Sequence, residues 1–270
     1  MIDRSFPLTD QMKLSCRFTS GSLTVHARDD LEQARVAITS RSGDERLLQH
    51  FRVTQAGSTI EIREDRDRAS GFFDNLFGRG RDGVDIVVDL PSGAGVSATV
   101  QAADIRIEGR ISGSEIGSGS ATVELDEVDG DLRVRGGSGD VTVRRVTGAS
   151  NFRGGSGRVV IGEAGSDVTV GLGSGNLSIG AAHGAVRMRS GSGGAEIGLA
   201  EADVEVTSGS GAVTIGLRAG QPARIDVLTG SGRLHTEMPV ESQRPATLSG
   251  KPITVKARTG AGDVTIRRAG

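Results

Sequence analysis

The stretch of sequence that decides the fold runs from residue 155 to residue 193 and reads GSGRVVIGEAGSDVTVGLGSGNLSIGAAHGAVRMRSGSG. It contains the triplet Gly-Ser-Gly three times, with serines at Ser156, Ser174 and Ser192. The triplet also occurs on both sides of this stretch, and every step from Ser138 to Ser210 is 18 residues. A fixed spacing of this kind predicts a repeat architecture in which each unit stacks on the next.

Apolar residues recur at the same spacing, so that every eighteenth position has one character. Two of these columns are Val143, Ile161, Ile179, Ile197, Ile215 and Val134, Phe152, Val170, Met188, Val206. Within each unit the apolar positions alternate with polar or mixed ones, as in Leu177-Ser178-Ile179. Strict alternation is the period of a β-strand with one buried face. Each unit is therefore predicted to hold two short strands, since repeated glycines would cost about 1 kcal/mol each in a helix.

The predicted fold is all-β, a parallel β-solenoid (β-helix) with coils of 18 residues. One coil cannot be stable alone, because ordering its backbone costs about 1–2 kcal/mol per residue. Stacked coils pair their strands above and below and share one apolar interior. The Gly-Ser-Gly triplets then form a ladder at one corner, where glycine permits a positive φ and close backbone approach. The handedness of the coil and its number of faces stay open.

The regular repeat does not cover the whole chain. Residues 1–95 are predicted to be a β-rich but irregular N-terminal portion that includes a cap, with alternating runs at 34–39, 59–63 and 84–90. Within it, residues 64–83 are predicted to be an inserted loop or short helix. Residues 96–270 are predicted to form the regular solenoid with closing strands at its end.

Composition narrows the possible functions. The chain has 42 glycines, no Trp or Tyr, and a net charge of -2 from 32 basic and 34 acidic residues. A protein that binds nucleic acid usually has a basic excess, so no nucleic-acid partner is expected. Cys16 is the single cysteine and cannot form an internal disulfide. With no apolar segment of signal-peptide or membrane-helix length, a cytoplasmic location is expected, with envelope association as an alternative.

Several segments resemble a known family. The units SGDVTVRRVTG and GSGRVVIG, the segment VDIVVDLP and the closing ARTGAGDVTIRRAG resemble the bacterial β-strand-repeat "putative adhesin" domains, a family of unknown function with adhesin-head-like solenoids. The resemblance extends from about Phe6 to Arg268. It implies a β-solenoid with adhesion or envelope-scaffold roles and no catalytic residues to carry over.

Metal binding and catalysis are not predicted. Calcium-binding β-rolls need an Asp in each repeat, but the column that starts at Asp140 continues with Arg158, Asn176, Gly194 and Ala212. No set of nucleophile, base and orienting residue is apparent. We therefore predict no enzyme activity, no metal and no cofactor. His183 is expected to face solvent, and Cys16 to be a small buried hydrophobe.

The candidate binding residues form an apolar cluster in the insertion: Phe72, Phe73, Leu76 and Phe77. On a short helix these side chains would share one face. They are interpreted either as a plug over one end of the solenoid or as a docking face for a partner protein. Membrane contact is considered only through residues 71–81.

The first functional hypothesis is a non-enzymatic, adhesin-like scaffold that binds an unknown protein partner or assembles with itself. End-to-end stacking is natural for a solenoid because its ends expose unpaired strand edges. The alternative is a module that binds carbohydrate or another cell-envelope polymer through its flat outer faces.

Overall fold

A computed structural model describes residues 1–65, 83–237 and 252–269. The chain divides into two compact units, Met1–Gly139 and Asp140–Gly270. Both are β-structures, and no helix among the described residues is long and apolar enough to cross a membrane. The boundary predicted between residues 95 and 96 separates an irregular from a regular part of the repeat. It is a different boundary from that between the two compact units, and it stays a prediction. The predicted insertion falls almost wholly outside the described residues.

In residues 1–65 and 83–139 the first unit has eight strands and one short 3-10 helix, Leu47–His50. The strands are β1 (Ile2–Pro7), β2 (Lys13–Arg28), β3 (Gln33–Ser40), β4 (Phe51–Ala56), β5 (Thr59–Glu64), β6 (Val84–Pro91), β7 (Gly95–Ser120) and β8 (Val123–Ser138). Strand β2 pairs in parallel with β7 on one edge and with β5 and β6 on the other. Strand β7 pairs in parallel with β8. Strand β2 is thus the first of these parallel strands in the sequence, but it lies between the others in the sheet.

Antiparallel strands cover one edge of this parallel stack. Strand β3 pairs antiparallel with β6, β1 pairs antiparallel with β3, and β4 pairs antiparallel with β5. The inward residues of β3, which are Ala34, Val36 and Ile38, are fully buried. Strands β3 and β1 therefore cover the edge of the parallel stack at β6.

The second unit contains the regular repeat. Its strands are β9 (Val141–Val146), β10 (Ser150–Ser156), β11 (Val159–Ala164), β12 (Val168–Ser174), β13 (Leu177–Ala182), β14 (Val186–Ser192), β15 (Ala195–Ala200), β16 (Val204–Ser210) and β17 (Val213–Arg218). Strands β10, β12, β14 and β16 form one parallel series. Strands β9, β11, β13, β15 and β17 form the other. Each coil contributes one strand to each series.

The 18-residue register is confirmed residue by residue. Ile161 pairs with Val143 and Ile179, and Ile179 pairs with Ile197. All four are 0–1% exposed. These columns form a continuous dry interior, and the prediction of a parallel β-solenoid is confirmed.

Glycine is required where adjacent coils approach most closely. Gly193, the last residue of one triplet, has φ +142, and a Cβ there would lie 1.9 Å from the carbonyl oxygen of Gly175 one coil away. A second glycine column, which the sequence analysis did not single out, ends at Gly216. A Cβ on Gly216 would lie 1.8 Å from the oxygen of Gly198. Any side chain at these positions would force the coils apart.

The last coils do not follow chain order. The remaining strands are β18 (Ala223–Thr229), β19 (Leu234–Thr236), β20 (Ile253–Ala261) and β21 (Val264–Ala269). Strand β20 pairs in parallel with both β16 and β18, and β21 pairs with both β17 and β19. Strands β20 and β21, although later in sequence, therefore lie between β16 and β18 and between β17 and β19, respectively. Strands β18 and β19 form the terminal coil among the described strands of this unit.

Candidate functional site

The terminal coil of the second unit has inward apolar side chains that no other described strand covers. Ile225 of β18 and Val255 of β20 are register partners in the same inward column. Val255 is fully buried, whereas Ile225 and Val227 are only half-buried. Elsewhere in the stack, the next coil covers each inward side chain. The partial exposure of Ile225 and Val227 therefore marks the coil at which the stack of described strands ends.

Two large apolar side chains of this coil are exposed outright. Leu228 is 65% exposed and Leu234 is 50% exposed. Among the described residues, the other exposed large hydrophobics are Met1, Leu8 and Val87 of the first unit. Exposed large apolar side chains such as Leu228 and Leu234, beside a strand with one unpaired edge, are typical of an association surface.

The backbone of β18 also has a free edge. Among the described residues β18 pairs with β20 alone. The carbonyl of Pro222 accepts a hydrogen bond from the N–H of Ile253, so residue 222 and the even-numbered residues after it direct their backbone groups toward β20. The odd-numbered residues Ala223, Ile225 and Val227 therefore direct their N–H and C=O groups away from the stack. We call β18 with this free side the terminal edge.

The charges on β18 are arranged symmetrically about its centre. Arg224 and Asp226 flank Ile225, and both are exposed. If two copies of β18 pair antiparallel about Ile225, each Arg224 lies opposite the Asp226 of the other copy. Backbone direction makes Ile225 a hydrogen-bonded pair and Arg224 with Asp226 a non-hydrogen-bonded pair, in which side chains approach more closely. The terminal edge is thus self-complementary.

An exposed charge cluster joins neighbouring coils of the second unit. The Nδ1 of His183 lies 2.7 Å from Glu201 Oε2, and its Nε2 lies 3.4 Å from Glu163 Oε1. Arg218 pairs with Glu201, and Arg145 Nε lies 3.7 Å from Glu163 Oε2. The hydrogen bond with Glu201 raises the pKa of His183, and the same bond lowers the pKa of Glu201.

Basic and acidic side chains alternate in this cluster and form a chain of ion pairs from coil to coil. His183 is exposed, as the sequence predicted. Both of its faces are taken by carboxylates, and no nucleophilic hydroxyl or thiol is among the partners that the structure gives it. Because exposed ion pairs contribute little to the free energy of unfolding, the cluster stabilises the stack only modestly.

Two other polar features have structural roles. Asp140 Oδ1 accepts the N–H of Arg158 at 2.7 Å, and Asn176 Oδ1 accepts the N–H of Gly194 at 2.8 Å. The column considered for calcium therefore uses side-chain oxygens to bind backbone amides of the next coil. No group of His, Cys, Asp and Glu in residues 1–65, 83–237 and 252–269 is arranged to hold a metal ion.

Cys16 is a core residue of the first unit. Its side chain is 2% exposed, and burial raises the pKa of its thiol. A buried neutral thiol is unreactive. The interpretation of Cys16 as a small buried hydrophobe is confirmed.

The first unit contains an open cavity of about 550 Å³. Residues that line it include Arg4, His50, Phe51, Arg52 and Asp65. Arg52 and Asp65 form an ion pair with 3.2 Å between Nη2 and Oδ2.

The predicted binding residues cannot be placed. Phe72, Phe73, Leu76 and Phe77 lie outside the described residues, and their role as plug or docking face stays a prediction. Sequence reasoning missed the terminal edge because nothing in the alternation of β18 marks it as terminal. It also missed the contact of His183 with Glu201, although their separation of 18 residues equals the repeat and could have revealed it.

Solved structures that are similar to this chain include two bacterial proteins. A "putative adhesin" from Bacteroides fragilis has a TM-score of 0.53 and 12% identity, covering 98% of this chain and 96% of that chain. A "putative lipid binding protein" from Parabacteroides distasonis has a TM-score of 0.44 and 15% identity, covering 98% and 96% of the two chains. At such identity the first likeness shows the fold alone. No curated protein matches the chain.

The family comparison covers most of the sequence. The model of the Toastrack DUF4097 family matches residues 45–268. This span includes strands β4 to β8 of the first unit and the second unit into its last strand, whereas β1, β2 and β3 precede it. It confirms the resemblance inferred from the repeat segments. The chain belongs to the Toastrack DUF4097 family.

Proposed function

We propose that this protein is a non-enzymatic binding scaffold that associates with a second copy of itself through the terminal edge. The observation that carries the proposal is the self-complementarity of β18 about Ile225. Backbone groups of Ala223, Ile225 and Val227 are directed outward from the stack, and Arg224 faces Asp226 across the two-fold axis. A symmetric pair of this kind is the commonest form of homo-oligomer interface.

The geometry of the described residues supports a scaffold more than an enzyme. His183 lies between Glu163 and Glu201 on an exposed surface. In the cavity of the first unit, the single carboxylate among the described lining residues, Asp65, is paired with Arg52. The other polar side chains that line it are Arg4, Gln49, His50 and Thr54. The name adhesin given to the Bacteroides fragilis protein fits a binding role.

Edge pairing of one strand gives a weak interface. Each opposite-charge pair across strands contributes roughly 0.2–1 kcal/mol, and the symmetric dimer has two. The half-buried Ile225 and Val227 would lose further apolar exposure. Stable interfaces usually bury more than about 1,000 Å², so we expect reversible association that depends on concentration.

Sedimentation velocity across a concentration range tests the proposal. The wild-type chain should shift from monomer to dimer, and Arg224→Asp should weaken the dimer by roughly tenfold because it places like charges opposite each other. The charge-swapped double variant Arg224→Asp with Asp226→Arg should restore association.

Two results would contradict it. One is a wild-type chain that stays monomeric at every concentration. The other is a dimer that is unaffected by Arg224→Asp, which would place the interface elsewhere. Thermal melting of each variant checks that the fold is retained, since both positions are exposed.

A further inference from the structure

The parallel series β10, β12, β14, β16, β20 carries a row of outward residues in strict register. Its members, from coil to coil, are Arg153, Gly171, Arg189, Thr207 and Arg258. All three arginines are exposed. We call this row the arginine lane.

The arginines of the lane have no counter-charge. In the described part of the chain none of them forms an ion pair, and the lane itself contains no carboxylate. This differs from the other series of the same unit, where Glu196 pairs with Arg267 and Glu163 with Arg145.

The row beside the lane is also mostly basic or neutral. Its members are Asn151, Thr169, Arg187, Glu205 and Lys256, and Asp226 of β18 continues the row beside Lys256. Arg187, Glu205 and Lys256 line part of a shallow depression of about 170 Å³. Asp203 also borders it, but its Oδ1 accepts the N–H of Thr254 at 2.7 Å. The face is therefore cationic although the whole chain has a net charge of -2.

The spacing of the lane is regular. Adjacent parallel strands lie about 4.8 Å apart, so arginines on every second coil recur at roughly 10 Å. Separating like charges accounts for the alternation, since like charges directly opposite each other repel. Repulsion alone does not explain why Gly171 and Thr207 occupy the positions between the arginines, because a glutamate at either position would lie between two arginines and neutralise their charge. The small residues instead leave the guanidinium groups open to a ligand.

We propose that the arginine lane binds a linear acidic polysaccharide whose carboxylates recur at about the spacing of every second coil. A guanidinium group binds a carboxylate through two parallel hydrogen bonds, which fixes both position and orientation. A nucleic acid fits this surface poorly, because its phosphates recur every 3.4 Å or so along one strand. The proposal deepens the alternative of envelope-polymer binding and is independent of the terminal edge.

Isothermal titration of the full chain with hyaluronan oligosaccharides tests the proposal, because hyaluronan carries one carboxylate per disaccharide. We expect binding at roughly 50 mM salt that weakens toward roughly 200 mM as charge contacts are screened. The triple variant Arg153→Gln, Arg189→Gln, Arg258→Gln should lose at least tenfold in affinity. The matched control is Arg28→Gln, Arg46→Gln, Arg110→Gln, which removes the same charge from exposed positions of the first unit and should change affinity less than twofold.

Several outcomes would overturn the proposal. They are no binding of hyaluronan by the wild-type chain, an equal loss in both triple variants, or tighter binding of polygalacturonate or single-stranded DNA. The last would mean that charge density and not spacing decides affinity. Dextran, which is neutral, should not bind. The sedimentation behaviour of the lane variant should match the wild type, so failure here is distinguishable from failure of self-association.

Discussion

The first unit and the second unit treat the edge of a parallel stack differently. In the first, β3 pairs antiparallel with β6, and β1 in turn covers β3. The outer strand β1 carries an Asp3–Arg35 ion pair with 2.9 Å between Oδ1 and Nε, and it ends at Pro7. Charges and prolines on edge strands prevent pairing with other chains.

In the second unit the terminal edge has no such cover among the described residues. Strand β18 contains alternating small or β-branched residues inward and one Arg–Asp pair outward, and its proline, Pro222, precedes the strand. The difference teaches that pairing with another chain is blocked at one edge and permitted at the other. Four predictions break or sharpen this view, two of them by matched substitutions in the two units.

The largest effect is expected from burying a carboxylate under the cap. Ile38 of β3 is fully buried between β1 and β6, so Ile38→Asp should cost more than about 4 kcal/mol of unfolding free energy. The matched variant Ile225→Asp in β18 should cost about 1 kcal/mol because Ile225 is half-buried. Chemical denaturation measures both, and equal losses would show that the terminal coil is closed.

Proline substitutions should distinguish the two sides of β18. Asp226 directs its N–H toward β20, so Asp226→Pro should cost about 3 kcal/mol by removing a ladder hydrogen bond. Val227 directs its N–H away, and Val227→Pro should cost about 1 kcal/mol or less while abolishing association. Thermal melting and sedimentation velocity report the two effects. A reversed order of stability would contradict the assigned backbone direction.

Serine-to-alanine substitutions should have opposite signs in the two units. Ser114 of β7 donates to the Ser112 carbonyl and accepts the N–H of Val96, so Ser114→Ala should lower stability by about 1 kcal/mol. The Ser150 Oγ of β10 is buried, and no described residue gives it a hydrogen-bond partner. Ser150→Ala should therefore raise stability by up to about 1 kcal/mol. If both substitutions destabilise, Ser150 has a partner in solution.

The smallest effect is a pH-dependent contribution from His183. Its pKa is raised by Glu201, so its stabilisation is present below the unfolded value of about 6.5 and lost as pH rises through the folded value. Glu201 has a lowered pKa, so its share is lost only at acidic pH, well below this range. The cost of His183→Gln should be larger near pH 5.5 than near pH 8.5, and below about 1 kcal/mol at both.

Denaturation at the two pH values checks this sign. The groups that surround His183 in the cluster are Glu163, Glu201, Arg145 and Arg218. Arg145→Gln is a control for general charge effects, because it contacts Glu163 and not His183. A larger cost of His183→Gln at the higher pH would mean that the ion pair does not form.

The sequence predicted the repeat but not the order of its last coils. The columns through Ile179 follow directly from one period, because each inward position faces the same environment. The segments that form β18 and β20 have the same alternation and similar apolar residues, so either could lie next to β16. Tertiary packing decides that Val255 and Ala257 are the buried pair.

The candidate surfaces were harder to predict for a related reason. Alternation indicates that residues 34–39 form a strand, but it does not show that the strand is antiparallel and part of a cap. Arg224 and Asp226 look like ordinary solvated charges until the structure shows that β18 is terminal. The arginine lane could be read from the 18-residue spacing of Gly171 and Arg189, but Arg258 enters it only through the displaced β20.

Hydrogen exchange of the β18 amides tests the central claim most directly. The amides of Ile225 and Val227 should exchange rapidly in dilute protein and become protected as concentration rises, because no described strand pairs with them and a second copy would. The amides of Arg224 and Asp226, which face β20, should be protected throughout. Rapid exchange of Ile225 at every concentration, or protection of it at every concentration, would contradict an open edge that pairs two copies.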